Sequence, residues 1–227
     1  MEIPILYEDE YCLVVNKPSN LIVHHSSFAR NIEETSLTDL VREKGFPNAS
    51  PVHRLDRKTS GCLLFSKEKE FVSTFQQLFE SDQIEKKYTA LVRGWIPESG
   101  VIDSPVKNER GNYKEALTHF KTIEQLELPF AFSKYPTQRY SLVELSPKTG
   151  RYHQLRIHCA KIGHPIINDP KHGDRHHNHF FENELGITNL FLHAEELNFI
   201  HPFINKKVQI LDSILENWKE LLEKLST

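Results

Sequence analysis

Residues 51–61 read Pro51-Val52-His53-Arg54-Leu55-Asp56-Arg57-Lys58-Thr59-Ser60-Gly61. One carboxylate, Asp56, stands among the cations Arg54, Arg57 and Lys58, directly ahead of the apolar run Cys62-Leu63-Leu64-Phe65. That run is continuous rather than alternating and predicts a buried strand. A carboxylate surrounded by cations stays ionised. It can serve as nucleophile, general base or metal ligand. The same residue types also make an ordinary salt-bridged turn at a strand entry, so the segment by itself leaves both readings open.

Upstream, Ile5-Leu6-Tyr7 and Cys12-Leu13-Val14-Val15 predict two strands around the polar turn Glu8-Asp9-Glu10, the second ended by Lys17-Pro18. Leu21 to His24 predicts a short strand leading into the polar stretch Ser26 to Glu34. Thr35 or Ser36 caps a helix through Val41 that Gly45 stops. Downstream, Phe71, Phe75, Leu78 and Phe79 recur at helical spacing within Lys67 to Glu80. Lys87 to Val92, Thr118 to Ile123, Tyr140 to Leu145 and Leu190 to Ala194 predict strands, and Pro97 to Lys114 mostly loop or a short hairpin. Arg151 to Ile162 predicts a helix, and His172 to His179 a polar loop. A terminal amphipathic helix over about 211–225 carries Leu211, Ile214, Leu215, Trp218, Leu221, Leu222 and Leu225 on its packed face. The pattern is strand-heavy α+β without regular βαβ alternation. It fits one catalytic domain over 1–227, with two lobes at most.

Composition excludes several classes. The chain has 227 residues, 38% hydrophobic and 26% charged, with a net charge of −3. It carries no basic coat, no bilayer-length apolar run and no signal-peptide pattern at Met1 to Leu6. Cys12, Cys62 and Cys159 match neither a zinc spacing nor a disulfide framework, so a reducing cytoplasm is expected. No glycine-rich phosphate loop occurs. Charge is nevertheless uneven: from Arg139 to Arg175 there are seven cations and three carboxylates, a stretch suited to an anionic substrate. His172, His176, His177 and His179 follow no standard metal spacing and read as a polar, pH-sensitive loop.

The resemblance that organises these pieces is to the RluA-type pseudouridine synthases. His53-Arg54-Leu55-Asp56-Arg57-Lys58-Thr59-Ser60-Gly61 is similar to that family's His-Arg-Leu-Asp-x-x-Thr-Ser-Gly signature. Val15-Asn16-Lys17-Pro18 resembles its opening turn, and Lys87-Tyr88 with Gly94 one of its strands. Thr149-Gly150-Arg151 with His153-Gln154-Leu155-Arg156-Ile157-His158 resembles its second polar segment. Gly163-His164-Pro165-Ile166, Leu192-His193-Ala194 and His201-Pro202 complete the order, so the likeness covers about Ile5 to past Pro202. Within the family, Tyr135 to Tyr140 and Asp169 to Asp174 resemble most the TruC branch, which modifies uridine 65 of certain transfer RNAs.

The resemblance implies a largely antiparallel mixed sheet with flanking helices, and isomerisation of uridine to pseudouridine in structured RNA. Transfer RNA is the expected partner; ribosomal RNA or another transfer-RNA site is the alternative. It implies no cofactor and no metal, no membrane, no obligate protein partner and a monomer. Only 52 residues precede His53 and they read as catalytic strands, which leaves no room for an S4-type RNA-binding domain. By position Asp56 matches the catalytic aspartate, Arg156 the arginine paired with it, and Tyr88 the tyrosine against the target base. Arg54 matches a residue that fills the space left by a flipped nucleotide. His53, Arg57, Lys58, Arg139, Arg151 and Gln154 complete the expected substrate contacts. Lys58, Tyr152 and Asn168 depart from the family pattern without removing a catalytic group. The rival classes are an RNA-binding protein without turnover and a metal hydrolase on the histidine loop.

Overall fold

The computed structural model describes residues 1–25, 34–108, 110–129, 131 and 135–224. In chain order the first half contains β1 (Ile5–Glu8), β2 (Cys12–Lys17), α1 (Leu37–Glu43), β3 (Ser50–Pro51), β4 (Ser60–Ser66), α2 (Val72–Glu80), β5 (Glu85–Arg93), β6 (Ser99–Asp103), β7 (Val106–Lys107) and β8 (Tyr113–Lys114). The second half contains β9 (Leu117–Leu128), β10 (Gln138–Pro147), α3 (Gln154–Lys161), α4 (Arg175–Asn183), β11 (Leu192–Ile200), β12 (Lys207–Leu211) and α5 (Leu215–Lys224). No helix among the described residues is long and apolar enough to cross a membrane. Two compact units divide the chain: residues 1–86 with 194–212, and residues 87–193 with 213–227.

In the first unit β4 is flanked by β2 and by β11, and β1 and β12 lie further out. β2 and β4 run antiparallel, with Val14 opposite Leu64 and Lys17 opposite Gly61. Burial on both faces explains the unbroken apolar run: Cys62 to Phe65 are fully buried. Cys12, Val14, Cys62 and Leu64 share a core with Phe75 and Leu78 of α2 and with Leu197, Phe199, Val208 and Ile210. Gly61 is required here. Its φ is +106°, and a Cβ would lie 2.2 Å from the carbonyl oxygen of Ala194. A capping box starts α1, with the Ser36 hydroxyl accepting from the Asp39 amide and the Asp39 carboxylate accepting from the Ser36 amide.

In the second unit the order is β5-β10-β9-β6, every neighbour antiparallel. β10 lies in the middle and contributes the buried Tyr140, Leu142, Val143 and Leu145. They pack with Leu155 and Cys159 of α3, Phe181 of α4 and Leu222 of α5. The α+β class and the mainly antiparallel pairing therefore stand as read.

Several elements differ from the sequence reading. Leu21 to His24 is not a strand. The carbonyls of Ile22 and Val23 accept instead from the amides of Leu37 and Thr38 at the start of α1. The polar stretch that follows falls largely on 26–33, outside the described residues. Residues 175–183 form α4 rather than loop: Asp174 caps the amides of His176 and His177, and His177 and Phe181, four apart, make the buried face. The region 97–114 holds β6 and the short β7–β8 hairpin. Leu211 ends β12, so the terminal helix starts at Leu215, with Trp218 edge-on to Phe191 at 5.0 Å; Leu225 lies outside the described residues.

Candidate active site

Asp56 sits on the loop between Val52 and β4, half-buried. The loop closes on itself, with the Thr59 amide donating to the Asp56 carbonyl at 3.1 Å. It is held from below by the end of β2. The Lys17 ammonium is fully buried and donates to the carbonyls of Pro18 (2.8 Å), Leu21 (2.8 Å) and Arg57 (3.0 Å). The Ser19 hydroxyl donates to the Lys58 carbonyl at 2.7 Å. Three acceptors meet three N–H donors, so the ammonium is fully satisfied. Burial pushes Lys17 down to about 7; the Asp56 carboxylate opposes the shift and Arg57 adds to it. Lys17 thus ties two carbonyl-rich turns together beside the carboxylate. The sequence marks it only as a strand end, because its partner lies 40 residues away.

The neighbouring expected residues divide by role. His53 turns inward. Its Nε2 accepts from the Leu64 amide at 3.0 Å, and its ring stacks on Phe79 at 4.4 Å. The geometry makes it a brace between the loop, β4 and α2. Arg54 and Arg57 are exposed, and Lys58 is half-buried. Arg57 pairs with Glu34 at 2.8 Å and donates through Nε to the Asn20 carbonyl.

The His53 brace has a pH consequence. Burial, reinforced by the Lys86 ammonium, pushes the imidazole down to about 3. In the unfolded chain it protonates near pH 6.5. Between those values the unfolded state binds the proton and the folded state does not, so stability falls as the pH drops through this window. From pH 7 to pH 5 this one group removes about 2 kcal/mol. Urea unfolding at both pH values should show a loss of at least that size, which His53→Gln, an acceptor that cannot titrate, should reduce by about 2 kcal/mol. An unchanged pH difference in the variant would exclude the brace.

In the second unit Tyr88 lies in β5 opposite Leu145, half-buried against the core. Arg156 projects from the first turn of α3. Its guanidinium is clasped by Asp169: Nε donates to Oδ2 at 2.8 Å and Nη2 to Oδ1 at 2.7 Å, with side-chain exposures of 6% and 0%. Asp169 was not singled out as a partner by sequence. Burial pushes its carboxyl up, but Arg156 and the amides of His172 and Lys171 outweigh burial and hold it below the usual carboxylate range. Arg156 Nη1 donates to His153 Nε2 at 2.8 Å. An arginine only donates, so that nitrogen is an acceptor and Nδ1 carries the proton. Nδ1 then donates to His172 Nε2 at 2.9 Å. Tyr152 stacks on His153 at 3.8 Å, and Lys171 lies over the Tyr152 ring.

Gln154 ties α3 to its surroundings. Its Oε1 accepts from Thr149 and the Arg151 amide, and its Nε2 donates to the Leu117 carbonyl and Thr118, all inside the protein. Arg151 is exposed and donates to the Glu115 carbonyl at 3.1 Å. Arg139 is exposed on β10. Asn168, one of the departures from the family pattern, adopts φ +61°, a conformation asparagine tolerates, and its amide donates to the carbonyls of Ile187 and Asn189.

Among the described residues, Asp9, Cys12 and His201 have spacing that could suit a metal. The tautomer argues otherwise. His201 Nδ1 accepts from the amides of Phe203 and Ile204. The proton therefore sits on Nε2, which donates to Asp9 at 3.0 Å and has no lone pair for an ion. Burial raises the Cys12 thiol out of the reactive range.

Comparisons with known proteins bear on the family. The pattern of the family described as RNA pseudouridylate synthase matches residues 11–161. A Vibrio parahaemolyticus protein named tRNA pseudouridine synthase C is 40% identical over 235 aligned residues, covering 99% of this chain and 95% of its own. A Haemophilus ducreyi protein of the same name is 38% identical, covering 99% and 96%. The solved structure of human RNA Pseudouridylate Synthase Domain Containing 1 superposes with a TM-score of 0.72 at 25% identity, covering 98% of this chain and 95% of its own. With the signature loop, the sheet order and near-complete coverage all in accord, the chain belongs to the RNA pseudouridylate synthase family.

Proposed function

We propose that this RNA uridine isomerase acts on transfer RNA, that uridine 65 is its target, and that Asp56 is the catalytic carboxylate. The observation that carries the reading is the presentation of Asp56. A single half-buried carboxylate rides on a loop whose backbone is fixed at the next two residues by Lys17 and Ser19, with exposed Arg54 and Arg57 beside it. Such a loop holds its geometry before substrate arrives. The relatives named tRNA pseudouridine synthase C support the choice of RNA.

In the reaction the N1–C1′ bond breaks, the uracil turns, and C5 joins C1′. C5 gives up its proton and N1 ends protonated, so substrate and product are isomers and no oxidant, reductant or energy source is consumed. Asp56 either attacks C1′ or removes the C2′ proton; both routes use the same carboxylate. Tyr88 holds the freed base by stacking. Arg156 supports the ionised carboxylate, its own orientation set in advance by Asp169 and His153. The chemistry calls for no metal and no organic cofactor, and in this reading a cytoplasmic monomer suffices. Exposed cations such as Arg139 grip phosphates, so affinity falls with salt.

The test incubates purified protein with unmodified transfer RNA transcripts that contain U65, in chelator and without nucleotide, and maps the product. Pseudouridine at position 65 is expected. Product at another transfer-RNA position would discard U65, and product in ribosomal RNA alone would overturn the transfer-RNA assignment.

A further inference from the structure

One recess of the second unit is not explained by the chemistry of uridine isomerisation. It lies at the far end of the β9–β10 pair, has a volume of about 670 Å³, and is lined by Arg93, Tyr135, Pro136, Arg139 and His177 among others. Beside it the Arg139 guanidinium lies over the Trp95 indole, its Cζ 4.1 Å from the ring centroid. The stack is open to solvent: Arg139 is 56% exposed and Trp95 41%, and Tyr135 at the same recess is 57% exposed. The indole is fixed in place because its Nε1 donates to the Leu126 carbonyl at 3.0 Å.

We propose that this recess, with the Trp95–Arg139 stack at its rim, is a second RNA contact that takes an unpaired nucleotide of the substrate away from the uridine being isomerised. The assignment rests on the RNA-directed reading above and adds a docking point to it.

Four observations favour a nucleotide. First, rigid exposed aromatic faces beside a guanidinium match a base beside its phosphate. Second, a guanidinium over an indole keeps its N–H groups at the ring's edge, where phosphate oxygens can meet them beside the 3.8 Å contact of Nε with Glu127. Third, the carboxylates nearby are already engaged. Glu127 accepts from Thr137 at 2.5 Å and lies 3.8 Å from Arg139, and Asp174 caps α4 and pairs with Arg93. Fourth, the distance excludes the reacting base. Tyr88 faces Leu145 and Arg93 faces Tyr140 in the same β5–β10 register. That is five residues along the strand, about 17 Å at the usual rise.

The experiment pairs steady-state kinetics on transfer RNA transcripts with a fluorescence titration by a single-stranded oligouridylate. Trp95→Ala should raise KM for the transcript about tenfold, the order of one lost base–aromatic stack, with the change falling on KM rather than kcat. Trp95→Phe, which keeps a ring, should stay within about threefold of wild type. Arg139→Gln should lower the slope of log Kd against log salt by about one. Oligouridylate should quench wild-type tryptophan emission, and the quench should vanish in Trp95→Phe, which retains the half-buried Trp218 as the common signal. Wild-type turnover checks the transfer-RNA reading independently. If turnover is normal and Trp95→Ala matches wild type in KM and quench, the second contact is overturned and the function stands. If wild type fails on transfer RNA yet shows the Trp95-dependent quench, the contact stands and the substrate reading fails. Equal quenching by polyglutamate would overturn the nucleotide in favour of an acidic peptide.

Discussion

Asp56→Asn will yield a folded protein that binds its RNA within about tenfold of wild type and forms no pseudouridine, a rate loss of at least about 10⁴-fold, the order found when a nucleophile or base is removed elsewhere. The substitution preserves shape. The loop is pinned through its backbone: Lys17 and Ser19 donate to the carbonyls of Arg57 and Lys58, and the Thr59 amide to the carbonyl of Asp56 itself. Fold and RNA contacts should therefore survive while the reacting group is lost. A second consequence separates this account from simple misfolding. The Asp56 carboxylate is what partly offsets the burial of the Lys17 ammonium. Removing it should lower the Lys17 pKa further, a shift readable by NMR of a selectively labelled lysine. The decisive measurements are product mapping and filter binding on the same preparation, with melting curves as the folding control. Activity and binding that fall together in a well-folded variant would remove Asp56 from the chemistry.

The contrast between Asp56 and its supports shows what a sequence can disclose. Asp56 is legible because its chemistry is local: one carboxylate, three cations and a buried strand within a dozen residues. β2 and β4 are legible for the same reason, since burial on both faces writes a continuous apolar run into each, Cys12 to Val15 and Cys62 to Phe65. Lys17 is not legible as a brace, because all three of its acceptors are ordinary backbone carbonyls that any residue could supply, and one lies 40 residues on. The helix α4 is hidden by composition. Its exposed residues are Arg175, His176, His179, Glu182 and Asn183, its fully buried anchors are His177 and Phe181, and no long apolar stripe forms. Asp174 was the available signal, a capping residue just ahead of the first turn. Leu211 misleads in the opposite sense. It sits in register with the apolar positions of α5, yet it belongs to β12 and pairs with Glu196. His53 and Gln154 stand within the segments that carry the resemblance, and both bond inside the protein, His53 through Nε2 and Gln154 through both atoms of its amide. A signature records what a site requires, and some of what it requires is scaffolding.

Arg156 and Asp169 test that distinction most sharply. Asp169→Asn should destabilise the protein by about 3–5 kcal/mol, the usual cost of removing one partner of a buried ion pair. The size follows from the geometry. Both side chains are almost fully buried, the pair is bidentate at 2.7 and 2.8 Å, and Oδ1 also accepts from the amides of Lys171 and His172. An asparagine would turn an NH₂ toward a guanidinium or an amide, donor against donor, and leave the arginine charge without its counter-ion. Urea unfolding at pH 7 measures the loss. The double variant Arg156→Met with Asp169→Leu removes both charges and should be more stable than Asp169→Asn, recovering part of the loss, while the amides of Lys171 and His172 still lack the acceptor that Asp169 gave them. Its activity should not recover. Arg156 would then serve the reaction as well as the fold, with Asp169 as the residue that aims it. A stable double variant with wild-type turnover would reduce the pair to a structural clasp. An Asp169→Asn protein with unchanged stability would show that the clasp itself does not hold α3 in place.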